Sequence, residues 1–329
     1  MKAISMFSGG LDSQLAVCLM QDQGIEVIGV TITTPFFGMS DTIQKAAEQL
    51  HIELHTLYCS EEYMDVLLEP VYGYGKHMNP CIDCHAFMQR KAYEFMQETG
   101  ASFLISGEVL GQRPMSQTRS SLNAVDKLAG VNGLMLRPLS ALLLPPTIPE
   151  EKGWVDRSRL LDINGRSRTR QIQLAEKYNL IDYPTPAGGC LLTQENFARR
   201  LRSYLENRSL IQADELTILR YGRQFYTREG NLILIGRNQA ENMQLNQLAQ
   251  PQDYLLKVTE RPGPLGLLRP MNSDSASMKE IDFAARLTAR YSDAKKEPST
   301  RVMVKRAVGE SSHIIEVKPM DEKSVPPSV

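Results

Sequence analysis

Ser8-Gly9-Gly10-Leu11-Asp12-Ser13 is preceded by Lys2-Ala3-Ile4-Ser5-Met6-Phe7, a short apolar run suited to a buried strand, and followed by Gln14-Leu15-Ala16-Val17-Cys18-Leu19-Met20, which has helical character. A strand therefore feeds a glycine turn that opens a helix. In that arrangement the free N–H groups of the first helical turn, the positive end of the helix dipole and the Ser8 and Ser13 hydroxyls converge on one point. Gly9 and Gly10 let the backbone approach an anion with no Cβ in the way, and Asp12 can position a metal or an attacking group. A bare Gly-Gly is commonly a plain strand-to-helix connection. The string also lacks the Gly-Lys-Ser/Thr ending of a Walker A loop, which argues against kinases and motor ATPases.

Outward from this turn the chain alternates. Ile25-Glu26-Val27-Ile28-Gly29-Val30-Thr31-Ile32 is a β-branched run, residues 41–51 have helical spacing, and Glu53-Leu54-His55-Thr56-Leu57-Tyr58 reads as a third strand. Ala101-Ser102-Phe103-Leu104-Ile105-Ser106 is a further strand that runs into Gly107-Glu108-Val109-Leu110-Gly111-Gln112 and Met115-Ser116-Gln117-Thr118. This predicts a doubly wound parallel sheet with helices on both faces, whose ligands sit beyond the carboxyl ends of the strands. At 329 residues and 42% hydrophobic, the chain has room for two or three cores. No stretch approaches the ~20 apolar residues that span a bilayer, and the first residues lead straight into a strand, so no membrane role and a cytoplasmic location are expected.

The cysteines are five, an odd number that argues for thiol or metal chemistry rather than a disulfide framework. Cys18 and Cys59 lie in apolar periodic segments and read as core residues. Cys81 and Cys84 stand in Asn79-Pro80-Cys81-Ile82-Asp83-Cys84-His85 ahead of a helix over 86–99, on one side of the first turn. The helix dipole acidifies thiols there, and two such thiols can share a metal or form a disulfide. Against zinc, no second Cys-x-x-Cys completes four ligands, although His77 and His85 are close in sequence. Cys190 ends Tyr183-Pro184-Thr185-Pro186-Ala187-Gly188-Gly189-Cys190, a constrained but accessible loop.

Net charge is -1, yet residues 1–194 hold 16 Lys/Arg against 21 Asp/Glu, and residues 195–329 hold 21 against 17. The basic part is the second one, a modest bias toward RNA. Arg157-Ser158-Arg159 and Arg166-Ser167-Arg168-Thr169-Arg170 suit phosphate contacts or helix entry equally. Proline-punctuated residues 137–146 close the sheet region. The expected division is a nucleotide-binding domain at 1–145, a connecting segment at 146–195 that carries the third cysteine, and a smaller α+β domain at 196–329. Helices over 171–178, 197–206 and 278–291 and strands at 232–235 and 254–258 are expected, with a frayed tail after Lys318.

The 8–13 string resembles the signature of the PP-loop ATP pyrophosphatases, which have an adenine nucleotide alpha hydrolase-like fold, cleave ATP between its α and β phosphates and pass AMP to an oxygen of the substrate. Asn79-Pro80-Cys81-Ile82-Asp83-Cys84 is similar to the loop of the tRNA 2-thiouridylases that ends in their catalytic cysteine, matched by Cys84. Gly188-Gly189-Cys190-Leu191 is similar to their second cysteine segment. Gly107 to Gln112 with Ser116-Gln117-Thr118 is closer to the tRNA 4-thiouridine synthetases. Cys81 has no counterpart in a two-cysteine 2-thiouridylase, and no stretch of residues 1–329 resembles the N-terminal RNA-binding domain of the 4-thiouridine synthetases, so none is expected here. Gly236-Arg237-Asn238-Gln239-Ala240-Glu241, Asp253, Pro262-Gly263 and Ala284-Ala285-Arg286-Leu287-Thr288-Ala289-Arg290-Tyr291 resemble the RNA-binding domain of NFACT proteins, with Pro264-Leu265 where that domain has Ser-His.

These resemblances imply an ATP-dependent tRNA sulfurtransferase that adenylates a uridine oxygen and replaces it by sulfur, giving 2-thio- or 4-thiouridine. They imply ATP and Mg2+ held by Ser8, Gly9, Gly10, Asp12, Ser13, Gly107 and Gln112, with Asp12, Cys84 and Cys190 as catalytic residues. They imply tRNA and a sulfur donor, sulfide or a persulfide carrier protein, as partners; a homodimer stays open. Two sulfur mechanisms compete. In one, Cys84 and Cys190 form a persulfide and resolving pair; in the other, Cys81, Cys84 and Cys190 hold a 4Fe-4S cluster, which the count of three favours. An amidating or ligating PP-loop enzyme, or a non-catalytic RNA-binding adaptor, are the other readings.

Overall fold

β1 (Lys2–Met6) lies between β2 (Glu26–Thr33) and a strand a hundred residues away, β4 (Phe103–Ser106), and Ser5 pairs with both Gly29 and Ile105. The computed structural model describes every residue except 132, 185–189 and 310. It divides into two units, Met1–Thr193 and Gln194–Val329.

In the first unit, the strands, completed by β3 (Glu53–Tyr58) and β5 (Met135–Leu136), form a parallel sheet in the order β3-β2-β1-β4-β5. The chain winds outward from β1 to β3 and then crosses back to β4, so strand order reverses beside β1 and opens a crevice at its carboxyl end. Helices α1 (Leu11–Gln21), α2 (Asp41–Gln49), α3 (Glu62–Leu68), α4 (Cys81–Thr99) and α5 (Arg119–Ala129) connect the strands. α4 starts five residues before the expected 86, because Pro80 serves as its N-cap and both cysteines fall inside the first turn. Beyond β5, α6 (Ile148–Glu151) and α7 (Thr169–Lys177) return to the sheet, and Val155, Leu160, Ile163, Ala175 and Leu180 join the core around Phe7, Leu15 and Phe103. Among the described residues, those from 146 to 193 fall within the first unit.

The second unit contains α8 (Glu195–Asn207), β6 (Arg223–Tyr226), β7 (Leu232–Ile235), α9 (Gln239–Gln247), β8 (Tyr254–Val258), β9 (Gly266–Arg269), α10 (Met278–Arg290), β10 (Thr300–Arg306) and β11 (Ser312–Val317). Its strands form an antiparallel sheet, β11-β10-β8-β9-β7-β6. Ile281, Ala284, Ala285 and Leu287 on one side of α10 close a core with Phe225, Leu256 and Val302. A Ser277/Glu280 capping box starts that helix, and Glu280 also accepts hydrogen bonds from Thr227 and Asn231. The expected fraying after Lys318 is corrected: Met320 is buried with its N–H on the Arg286 carbonyl, and the Val329 N–H donates to the Gln224 carbonyl. Among the described residues no helix is long and apolar enough to cross a membrane.

Candidate active site

The turn after β1 is built by close approach. Gly9 has φ +68, and a Cβ there would stand 2.9 Å from the Ile43 Cα. Gly10 is the extended N-cap of α1 and offers no side-chain cap, so the first-turn N–H groups are left for a ligand. The Ser13 hydroxyl donates to the Gly10 carbonyl at 2.8 Å, and the Ser8 hydroxyl donates to Ser13 Oγ at 3.2 Å. Buried Gln14 fixes the turn from behind, its Nε2 donating to the Gly9 and Asp182 carbonyls, each at 2.9 Å.

The end of β4 crosses this turn. A Cβ on Gly107 would lie 2.4 Å from the Ser13 nitrogen, a backbone contact that only glycine allows. Five residues on, Gln112 Nε2 donates to Asp12 Oδ2 at 3.1 Å, while Asp12 Oδ1 is buried with no partner. An orphaned carboxylate oxygen beside free helical N–H groups fits Mg2+, which takes one or two carboxylates and completes its shell with phosphates and water.

The thiols gather in an adjoining place. Cys81, Cys84 and Cys190 line one cavity of about 350 Å³, walled by Phe37, Tyr63, Met88 and Met115. Asn79 Nδ2 donates to Cys81 Sγ at 3.1 Å. Burial pushes Cys84 up to about 12, tempered by the Tyr63 hydroxyl, which stands beside it without the alignment of a full hydrogen bond. Burial also raises Cys190, against backbone N–H groups of Leu192 and Thr193 and the charge of Arg113, which lower it. Cys18 and Cys59 are buried elsewhere and pushed up to about 12 and about 11, in keeping with core roles.

No phosphate-loop residue lines the thiol cavity. The segment 107–113 links the two places, since Gln112 touches Asp12 and the next residue, Arg113, lines the cavity. Three soft donors on one apolar-walled cavity fit an iron–sulfur cluster in kind. Among the described residues, no group of three or more Cys, His, Asp or Glu stands closed as a ready metal site. The glycines before Cys190 lie outside the described residues.

Sequence reasoning missed the support beneath the thiols. His85 Nδ1 pairs with Glu108 Oε1 at 2.8 Å, Arg137 Nε donates to Glu108 Oε2 at 2.9 Å, and the Arg137 fork grips Asp126. Burial alone would raise Glu108, but the Arg137 charge, with His85, holds it at about 2. His85 is therefore tied to a carboxylate, and His77 meets the site through its N–H, which donates to Asn79 Oδ1. These partners lie up to 29 residues apart and leave no local signal.

Residues 1–143 match the family model described as "Thiamine biosynthesis protein (ThiI)", and residues 222–327 match that described as "NFACT protein RNA binding domain". The chain therefore matches two different family models in succession. Cys190 falls between the two matched spans. Parts of the chain also resemble curated tRNA-modifying proteins. A Methanosarcina mazei protein named "Probable tRNA sulfurtransferase" is 30% identical over 37% of this chain and 31% of its own length. The tRNA-specific 2-thiouridylase MnmA of Proteus mirabilis is 30% identical over 38% of each chain, and that of Shewanella frigidimarina 28% identical over 62% of this chain and 56% of its own. The chain thus spans between about a third and just over half of the length of these relatives. A solved 4-thiouridine synthetase–RNA complex with bound ATP aligns at 19% identity and TM-score 0.40, over 66% of this chain and 52% of that one.

Proposed function

We propose that the protein is an ATP-dependent tRNA thiouridine synthase, and the observation that carries this reading is the convergence of Cys81, Cys84 and Cys190 on one cavity joined through residues 107–113 to Asp12. The 8–13 turn and Gly107 cradle the ATP phosphates, and Asp12 holds Mg2+ through its free oxygen. A uridine oxygen attacks the α-phosphorus of ATP, diphosphate leaves, and the oxygen becomes the bridging atom of an AMP ester. Sulfur then attacks the activated ring carbon and AMP departs with that oxygen. The apolar walls of the cavity keep water from competing for the same carbon.

Cys81, Cys84 and Cys190 are the residues that would hold a 4Fe-4S cluster. Bound there, a cluster would supply sulfide. The persulfide reading needs only Cys84 and Cys190 and leaves Cys81 without a task, whereas Asn79 is bonded to the Cys81 sulfur. Sulfur comes from sulfide or from a persulfide carrier. The match of residues 1–143 to the ThiI model favours 4-thiouridine over 2-thiouridine.

Nucleoside mass spectrometry of tRNA from a strain lacking the gene tests the reading and names the base: loss of one thiouridine is expected, and an unchanged sulfur complement overturns it. Anaerobic purification with iron and sulfide analysis separates the mechanisms. Cys81→Ala is expected to abolish thiolation and iron content together; a colourless, iron-free enzyme that still thiolates tRNA points to the persulfide.

A further inference from the structure

We infer that the loop at residues 69–77, between α3 and α4, is a nucleobase-binding site on which Tyr72 stacks an unpaired base of the RNA whose target base enters the thiol cavity; this rests on the proposed RNA substrate. The loop reads Glu69-Pro70-Val71-Tyr72-Gly73-Tyr74-Gly75-Lys76-His77. It exposes 75% of Val71, 49% of Tyr72 and 43% of Tyr74.

The exposed rings stand on a fixed backbone. Asp83, buried between the two α4 cysteines, accepts the Val71 N–H at 2.7 Å and the Tyr72 N–H at 3.1 Å. The Tyr74 hydroxyl donates to the Leu67 carbonyl at 2.7 Å. Gly73 turns the chain at φ +72, and Gly75 donates its N–H to the Asn79 carbonyl at 2.9 Å. A Cβ on Gly75 would stand 2.3 Å from Asn79 Nδ2, the atom that bonds Cys81. The Asn79 side chain therefore ties loop to sulfur, its Oδ1 accepting the His77 N–H and its Nδ2 donating to Cys81 Sγ, while Asp83 of the same helical turn as Cys81 holds the Val71 and Tyr72 N–H groups. Asn79 itself lines the thiol cavity, so the loop is bonded to a residue of the cavity wall.

The chemistry favours RNA. Rings spaced by glycines offer flat π faces, and bases stack on such faces with little regard to sequence. Lys76 and His77, between the tyrosines and Cys81 in the chain, suit the intervening phosphates, and Glu69 is the loop's single acid. Tyr72 enters the loop's hydrogen bonds only through its backbone, so its side chain can be changed without undoing them.

Steady-state thiolation by Tyr72→Ala, Tyr72→Phe and Tyr72→Trp tests the inference on the full chain. Tyr72→Ala is expected to raise the KM for tRNA about tenfold, with kcat and the KM for ATP within twofold, while Phe and Trp keep the wild-type value. A Tyr72→Ala enzyme whose tRNA KM stays within twofold of wild type overturns the site. So does a defect seen only with a persulfide-bearing carrier protein and absent with inorganic sulfide, which assigns the loop to that protein. If wild-type enzyme makes no thiouridine, the proposed function falls, and the loop is judged on binding alone. In that case tRNA must photocross-link within residues 69–77 and bind Tyr72→Ala about tenfold more weakly, or the inference falls too.

Discussion

Gly9 and Gly10 are neighbours in one turn and are held there for different reasons. Gly9 is left-handed, and its Cβ would meet the Ile43 backbone, so Gly9→Ala must move α2 or abandon the turn. Gly10 is extended, and a Cβ there meets Ser8 Oγ at an ordinary 3.5 Å. Thermal melts are therefore expected to show Gly9→Ala destabilised by about 2 kcal/mol or more, with Gly10→Ala close to wild type. Both are expected to weaken ATP about tenfold or more in titration calorimetry, Gly10→Ala only because its methyl stands where phosphate approaches. Equal melting points for the two would refute this separation. The turn was legible in the sequence because its constraints are local: strand, two glycines, helix. Asp12 was legible as a residue but its orphan oxygen was not, since that depends on Gln112, a hundred residues away.

At the scale of elements, α4 carries Cys81 and Cys84 and rests on the buried pairing of Glu108 with His85 and Arg137. Removing one partner of such a pair leaves a buried charge uncompensated. Glu108→Gln is expected to cost about 3 kcal/mol in urea unfolding. The pH dependence has a definite sign. Glu108 sits at about 2 in the folded protein against an ordinary 4.5, so its contribution is complete above 4.5 and is lost as pH falls from there through about 2. Wild type should lose its advantage over Glu108→Gln progressively from about pH 4.5 down through about 2; a gap that stays constant over that window would show that Glu108 is not held ionised. Sequence reading placed Glu108 on the binding edge of the sheet without a role, because its partners come from α4 and from Arg137 just beyond β5. The 69–77 loop was passed over for a similar reason: its exposed tyrosines gain meaning only once Asp83 is seen to pin them to the cysteine helix.

At the scale of the molecule, two separate cores, one beneath the parallel sheet and one beneath the antiparallel sheet, are expected to divide the work. The second is keyed by Arg269 and Asp253, both with fully buried side chains, joined by Nε and Nη2 bonds of 2.7 to 3.2 Å. Asp253 also accepts the Gln250 N–H, and Arg269 donates to the Leu248 carbonyl, so the pair fastens the turn between α9 and β8 to the middle of the sheet. Its two members were legible only as a motif residue and an unremarked arginine, since β8–β9 pairing is what brings them together. Asp253→Ala leaves the guanidinium unpaired in the core, at an expected cost of about 3–5 kcal/mol. That cost falls on residues 194–329 alone. Calorimetry of the full chain should therefore show one unfolding transition moved down by about 10 °C or more, with a second transition unmoved and still raised by Mg-ATP. Binding of tRNA should be lost at temperatures between the shifted transition and its wild-type position, while ATP affinity persists. A single transition that moves as a whole, or loss of ATP binding together with tRNA binding, would mean that the two cores are one cooperative structure and that the division of labour does not hold.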